Sequence, residues 1–487
     1  MRSAGRLIAG ALLSVAVVGC GTTVPPARQQ TVTGSDGLQV SGPAPTVSPG
    51  AVGPASTSTV SGPSQASPGS SAVTPDETTV PVPGTQPPSA VASVPRGAPV
   101  EIGLAYAENG AAFSQSLGGS LNLGDGKAQG DALVSYLNAH GGLAGHLVKP
   151  VYYAVDLTRP DSWSVFVQEA CTLWTQDHHV IAASFPVNID IGQLSTCLNK
   201  HGAVLDASSL RLRSESDYTA GPLLVEPWMI SVERLAPLYV RGLKEAGYFT
   251  GKPVIGLLTY DYPQSRLLGT LIDRELHKIG LSVKVTFEAR YADSTSGLGS
   301  TVSEVQSAVL KFRSAGVTHV MSSAVPGGIG VAFQPGAQSQ GYHPKYGLTS
   351  YDAIAGMDAN QVAGAMAVGW WLDDVDARHE IANATTRTCR SIFRTNGSAN
   401  GRDTELLALA YCDFFLMLQH TAQGLEPGAR LDGNAVVRLL DRTGSTFRSS
   451  RSLGTVLSTK QRDGASGLRA LRFDGPCSCW TYGSTVS

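Results

Sequence analysis

The chain has 487 residues, with 36 Lys and Arg against 38 Asp and Glu, a net charge of −2 and only 15% charged residues. Nothing in such near-neutrality points to the basic surface that a nucleic-acid or anionic-lipid partner requires. Hydrophobic residues at 42%, with 55 glycines, describe a globular core interrupted by many turns.

The N-terminus carries Arg2 and Arg6, an apolar segment from Leu7 to Val18 and then small residues, the build of a secretion signal that is too short to span a bilayer. Val17-Val18-Gly19-Cys20 resembles the bacterial lipobox, in which the cysteine is lipidated and begins the mature chain. The resemblance implies a signal peptide over 1–19 and a membrane anchor on Cys20, with the protein on the extracytoplasmic face of the cell membrane. Residues 20–97 are dominated by Pro, Ser, Thr, Gly and Val and cannot bury enough apolar surface to offset their ordering entropy. This stretch reads as a disordered tether of about 75 residues with a reach of about 45 to 50 Å. Its Ser/Thr with interspersed Pro also permits O-glycosylation.

The remaining length is too great for one average domain and suits two lobes. Apart from Cys20 there are Cys171, Cys197, Cys389, Cys412, Cys477 and Cys479, and an even number in an exported chain argues for disulfides. The pairing Cys171 with Cys197, Cys389 with Cys412 and Cys477 with Cys479 is expected. The last ring is short enough to be strained, and its two cysteines could pair elsewhere. Cys-x-Cys lacks zinc-knuckle spacing and no His cluster accompanies it, so no metal and no cofactor are expected.

In chain order, "PVEIGLAYA" alternates as a strand, "KAQGDALVSYLNAHGGLAG" carries apolar residues at helical spacing and stops on Gly141-Gly142, and "HLVKPVYYAVD" is a strand. "DSWSVFVQEACTLWTQ" (helix), "HVIAASF" (strand), "IDIGQLSTCLNKHG" (helix) and "AVLDASS" (strand) follow. This alternation predicts a parallel sheet covered on both faces. The pattern restarts at "KPVIGLLTY", continues through a helix marked by Leu267, Leu268, Leu271, Ile272 and Leu276, and proceeds through "LSVKVTFEA", "TVSEVQSAVLKFRSAG" and "VTHVMSSA". "ELLALAYCDFFLMLQH" is a core helix, too short and too polar at Asp413 for a membrane span.

Over nearly all of this folded length the chain resembles the type I periplasmic binding proteins of the leucine/isoleucine/valine-binding class. The stretches that carry the resemblance, in order, are "LNAHGGLAGHLVKPVYYAVD", "GKPVIGLLTYDYPQSRLLG", "AVLKFRSAGVTHVMSSA", "AQSQGYHPKYGLTSYDA" and "LALAYCDFFLML". It implies an α/β, two-lobed fold, each lobe a doubly wound and mostly parallel sheet, joined by hinge strands. The expected organisation is first lobe 98–228, second lobe 229–363, return to the first lobe 364–442, and a C-terminal segment 443–487 mainly in the second lobe. The pair Cys171 and Cys197 also resembles a disulfide of extracytoplasmic members. The implied function is capture of a small polar solute, an amino acid or related compound, for an ABC transporter permease.

Ligands of such sheets bind beyond the carboxyl ends of the strands. Candidate residues are therefore Glu108, Asn109 and Gly110, then Phe185, Pro186 and Asn188, then Ser208 and Ser209 in the first lobe, and Asp261, Tyr262, Ser323, Tyr351 and Asp352 in the second. By position, Ser208 and Ser209 match the family's carboxylate-binding hydroxyls and Asp352 its ammonium-binding acid. A capping role for Asp352 and turn roles for the serines compete equally. Where amino-acid binders place small hydroxyl residues, this chain has "SFPVN", which offers neither an amide at Pro186 nor a polar group at Phe185. Phe185 either stacks on a ligand or packs under its loop, and Trp370-Trp371 suits packing at the lobe return. No G-x-S-x-G, S-x-x-K, H-E-x-x-H or Walker motif occurs, so an enzyme is not expected. The alternative to transport is a sensory or protein-docking lipoprotein that keeps the binding fold without feeding a permease.

Overall fold

The computed structural model describes residues 97–112, 122, 124–187, 189, 191–207, 211–294, 296–323, 328–399 and 402–486, and all that follows concerns the unit Gln86–Ser487. Cys20 and its tether, Asn188, Ser208 and Ser209 lie outside the described residues.

Two sheets organise the chain. The first has the order β2-β1-β3-β4, built from Gly97–Glu108 (β1), His146–Asp156 (β2), Ala182–Ser184 (β3) and Val204–Asp206 (β4), all parallel. Helices Gly126–Ala139 (α1), Trp163–Thr172 (α2) and Gly192–Lys200 (α3) connect these strands, as right-handed crossovers require. One face packs against α1 and the later helices Ala384–Thr395, Arg402–Ala422 and Gly433–Thr443 through Leu104, Leu133, Phe393, Phe415 and Leu440; the other packs against α2 and α3 through Phe166, Trp174 and Leu194. Close approach of α1 to β1 depends on Gly130, where a Cβ would fall 2.3 Å from Leu104.

The second sheet has seven strands, in the order β13-β12-β9-β8-β7-β5-β6. Ile255–Tyr260 (β5), Val283–Ala289 (β6), His319–Ser322 (β7), Lys345–Thr349 (β8) and Met366–Gly369 (β9) are parallel, and the hairpin Arg469–Asp474 (β12) with Cys479–Thr485 (β13) adds antiparallel to β9. All six residues of β5 are buried, which accounts for its unbroken apolar run.

Three segments cross between the lobes. Val225 pairs with Leu205 beside β4 and the chain then runs through Glu226–Ile230 into the second core. Trp370 and Trp371 leave β9, and the strand pair Gly454–Thr455 (β10) with Ala465–Ser466 (β11) returns alongside them. Here Arg451, 1% exposed, lies between the rings of Trp228 and Trp371, 4.1 and 4.2 Å from their centroids, and its guanidinium pairs with Asp373. Both Trp370 and Trp371 donate their indole N–H to the Trp228 carbonyl, so they are hinge packing. Strand β9 lies in the second sheet through Gly369, and Phe447 and Leu457 pack in the first lobe. Four residues of β9 leave too little periodicity to mark that edge.

Cys171 is joined to Cys197 and ties α2 to α3; Cys389 is joined to Cys412 and ties two first-lobe helices; Cys477 is joined to Cys479 in the β12–β13 turn.

Candidate functional site between the lobes

At the carboxyl end of β1, Asn109 adopts φ 57°, a left-handed conformation that Asn tolerates better than most residues. Its amide donates to Asp156 at 3.1 Å, joining the ends of β1 and β2. The Thr158 hydroxyl and N–H also donate to Asp156 and, with Asn109, hold that carboxyl below its usual range. Phe185, after β3, is wholly buried between Tyr153 and Trp174, with ring centroids 6.4 and 6.2 Å away. Pro186 is buried beside it. Phe185 therefore packs under its loop and presents no face to a ligand in this conformation.

In the second lobe, Asp261 accepts the Tyr291 N–H and is exposed. Ser323 is buried and shares a hydroxyl contact with Ser265. Tyr351 is also buried; it donates to the Ile230 carbonyl at 2.9 Å and accepts the Ile230 N–H, so it fixes the first crossing. Asp352, 1% exposed, closes a capping box by accepting the Thr349 N–H at 2.8 Å and the Thr349 hydroxyl at 3.1 Å. Burial pushes its carboxyl up to about 7. Its capping role describes this geometry, in which the carboxyl is buried. Close by, Gly328 lies against the Tyr260 hydroxyl, which a Cβ would approach to 2.2 Å.

The strand ends of the two lobes meet through residues that periodicity did not single out. Arg211 and Arg213 follow β4 and are 5% and 4% exposed. The Arg211 guanidinium lies 4.4 Å from the Tyr262 ring centroid and 4.6 Å from that of Tyr291. A desolvated cation–π contact of this kind is worth about 2 kcal/mol. Tyr262 thus faces the segment that follows β4, in which Leu212 packs in the second core and the Arg213 carbonyl accepts the Val232 N–H. Beside Tyr262 the Gln264 amide donates to both carboxylate oxygens of Asp217 at 2.9 Å. Trp163 donates its N–H to the Asp293 carbonyl and its indole N–H to the Ala292 carbonyl, while Ser162 bridges to Ser294. Arg213 stands 3.7 Å from Glu226, whose carboxyl burial raises above its ordinary value. The available sequence signal was the pair of cations in "LRLRSESD" soon after Ser208-Ser209.

A depression of about 270 Å³ between Tyr136, Thr388, His420 and Phe447 lies at the C-terminal end of α1, toward the amino ends of the strands, and is no part of this junction. Among the described residues, no group of three His, Cys, Asp or Glu side chains is placed to hold a metal ion, and no helix is long and apolar enough to cross a membrane.

No family model matches the sequence, and no curated protein matches it. Solved structures do. An ABC transporter substrate-binding protein from Desulfitobacterium hafniense in complex with Leu has a TM-score of 0.52 at 14% identity, covering 79% of this chain and 99% of that one. A solute-binding protein of an ABC transporter from R. palustris in complex with 4-hydroxybenzoate has a TM-score of 0.56 at 12% identity, covering 80% and 96%. A branched chain amino acid ABC transporter protein from Thermus thermophilus with bound valine has a TM-score of 0.55 at 14% identity, covering 81% and 97%. At such identities the likeness is one of fold. This chain has the two-lobed α/β architecture of the type I periplasmic binding proteins.

Proposed function

We propose that the chain is an extracytoplasmic solute-binding lipoprotein, anchored through Cys20, that captures a small polar solute between its lobes and presents it to an ABC transporter permease. The observation that carries this reading is the meeting of two sets of strand ends at Arg211, Tyr262 and Tyr291, in a fold whose similar structures hold Leu, valine or 4-hydroxybenzoate. Closure is favoured only as far as a solute binds the closed form better than the open one. The buried Arg211 guanidinium at the junction suits a carboxylate, which takes charge-assisted hydrogen bonds, while Arg213 stands against Glu226 and the tyrosine faces suit a flat or apolar remainder. Ser208, Ser209 and Asn188 remain proposed contributors from the first lobe, and Ser323 from the second. The role is binding rather than catalysis.

The alternative, a sensory or docking lipoprotein, draws on the same contact: Arg211 already lies on the tyrosines, as a cation from a solute would. A thermal-shift screen of the purified chain against leucine, valine, 4-hydroxybenzoate, sugars and polyamines separates the two. A solute at about a hundred times its dissociation constant adds about 2.7 kcal/mol, a shift of a few degrees. No shift from any of these probes favours docking. For the anchor, a Cys20→Ser chain leaves the membrane fraction; continued membrane attachment refutes it.

A further inference from the structure

The three disulfides differ in what they close. Cys171–Cys197 and Cys389–Cys412 span 26 and 23 residues and each clamps two helices, whereas Cys477–Cys479 spans 2 within a hairpin turn. Loop-closure entropy gives the shortest ring the least stabilisation, and the flanking ladder, with Asp474 opposite Cys479, already fixes the turn. The residue between the sulfurs, Ser478, is held at φ 49°, a left-handed conformation that costs a non-glycine residue energy. Cys477 is partly exposed while Cys479 is buried, and Nδ1 of the exposed His379 lies 3.9 Å from the Cys479 sulfur. A disulfide that stabilises little, strains its backbone, offers one sulfur to solvent and places an imidazole on the other is arranged for exchange, not for holding the fold.

We propose that Cys477–Cys479 is a thiol–disulfide exchange site that takes a thiol reductant as its substrate. A thiolate attacks the Cys477 sulfur, forming a mixed disulfide and breaking the bond to Cys479. The released electron pair stays on the Cys479 sulfur, which takes a proton by way of the His379 imidazole beside it. A second thiolate then attacks the first thiol's sulfur, forming the small-molecule disulfide and releasing Cys477 as a thiolate that takes a proton from water. One protein disulfide and two thiols become a protein dithiol and one small-molecule disulfide, with His379 reprotonated from water. His379 is a positioning and proton-donating group for the leaving sulfur, which leaves faster the better its thiolate is stabilised.

The test is to expose the full-length, folded chain to dithiothreitol, quench by alkylation at timed intervals and map the labelled cysteines by mass spectrometry. Cys477 and Cys479 should label at least tenfold faster than Cys389 and Cys412, with the melting temperature essentially unchanged, and oxidised dithiothreitol should close the bond again. Opening no faster than Cys389–Cys412, or failure of the opened pair to re-close, overturns the proposal. His379→Ala, a change at an exposed residue, should slow the opening several-fold while leaving the melting temperature alone. An unchanged rate removes His379 from the step.

Discussion

Asp352 illustrates how a side chain can hold the expected position and perform a local task. Its carboxylate satisfies the Thr349 N–H and hydroxyl, so Asp352→Ala removes a cap and should cost about 1 to 2 kcal/mol. Affinity for a solute should change little in that variant, whereas Arg211→Ala should weaken binding of a carboxylate about tenfold or more; isothermal titration of both variants checks the contrast. A large affinity loss in Asp352→Ala alone would return that residue to the site. Phe185→Ala, which empties the space between Tyr153 and Trp174, should cost about 3 to 5 kcal/mol by chemical denaturation, as a core residue does. From sequence alone Phe185 and Asp352 each had two readings, because position after a strand fixes where a side chain begins but not what packs around it.

Elements were more legible than side chains. Strand β2 spans His146–Asp156, the same residues that alternation marked, and α1 stops at Ala139 just before Gly141-Gly142, because a long period-two or period-3.6 pattern leaves little freedom. Short strands were less so. The four residues of β9 and the three of β3 depend on neighbours on both sides for their hydrogen bonds, and that context is absent from a local window. The crossing segments were hardest to read. Trp228, Trp371 and Arg451 are far apart in the chain and come together only when three crossings align, so the sequence alone offered two tryptophans and a lone cation. Removing the Cys389–Cys412 clamp by a double Ser substitution should cost about 2 to 5 kcal/mol, read as a lower denaturation midpoint.

For the molecule as a whole, burial at the crossings shapes the dependence of stability on pH. Burial pushes Asp374 and Asp352 up to about 7 and Asp413 up to about 6, from an ordinary 3.8. The folded chain therefore holds these protons more tightly than the unfolded one, so their contribution is fullest below about pH 4 and is lost as pH rises toward 7. Buried His319, whose pKa burial lowers, works in the opposite sense. Asp374→Asn should flatten the fall in melting temperature between pH 4 and 7, measured by calorimetry; a steeper fall would contradict the assignment.

On the proposed function, the two lobes capture a solute where their strand ends meet. Hydrogen exchange with and without whichever probe shifts the melting temperature tests it most directly, because the Trp163 N–H is bonded across the junction to Asp293. The solute should slow exchange in the segments around Trp163, Arg211–Arg213 and Tyr291–Ser294 together, with the outer helices unchanged. Slowing confined to an outer face, or no slowing at the junction at saturating solute, would contradict it.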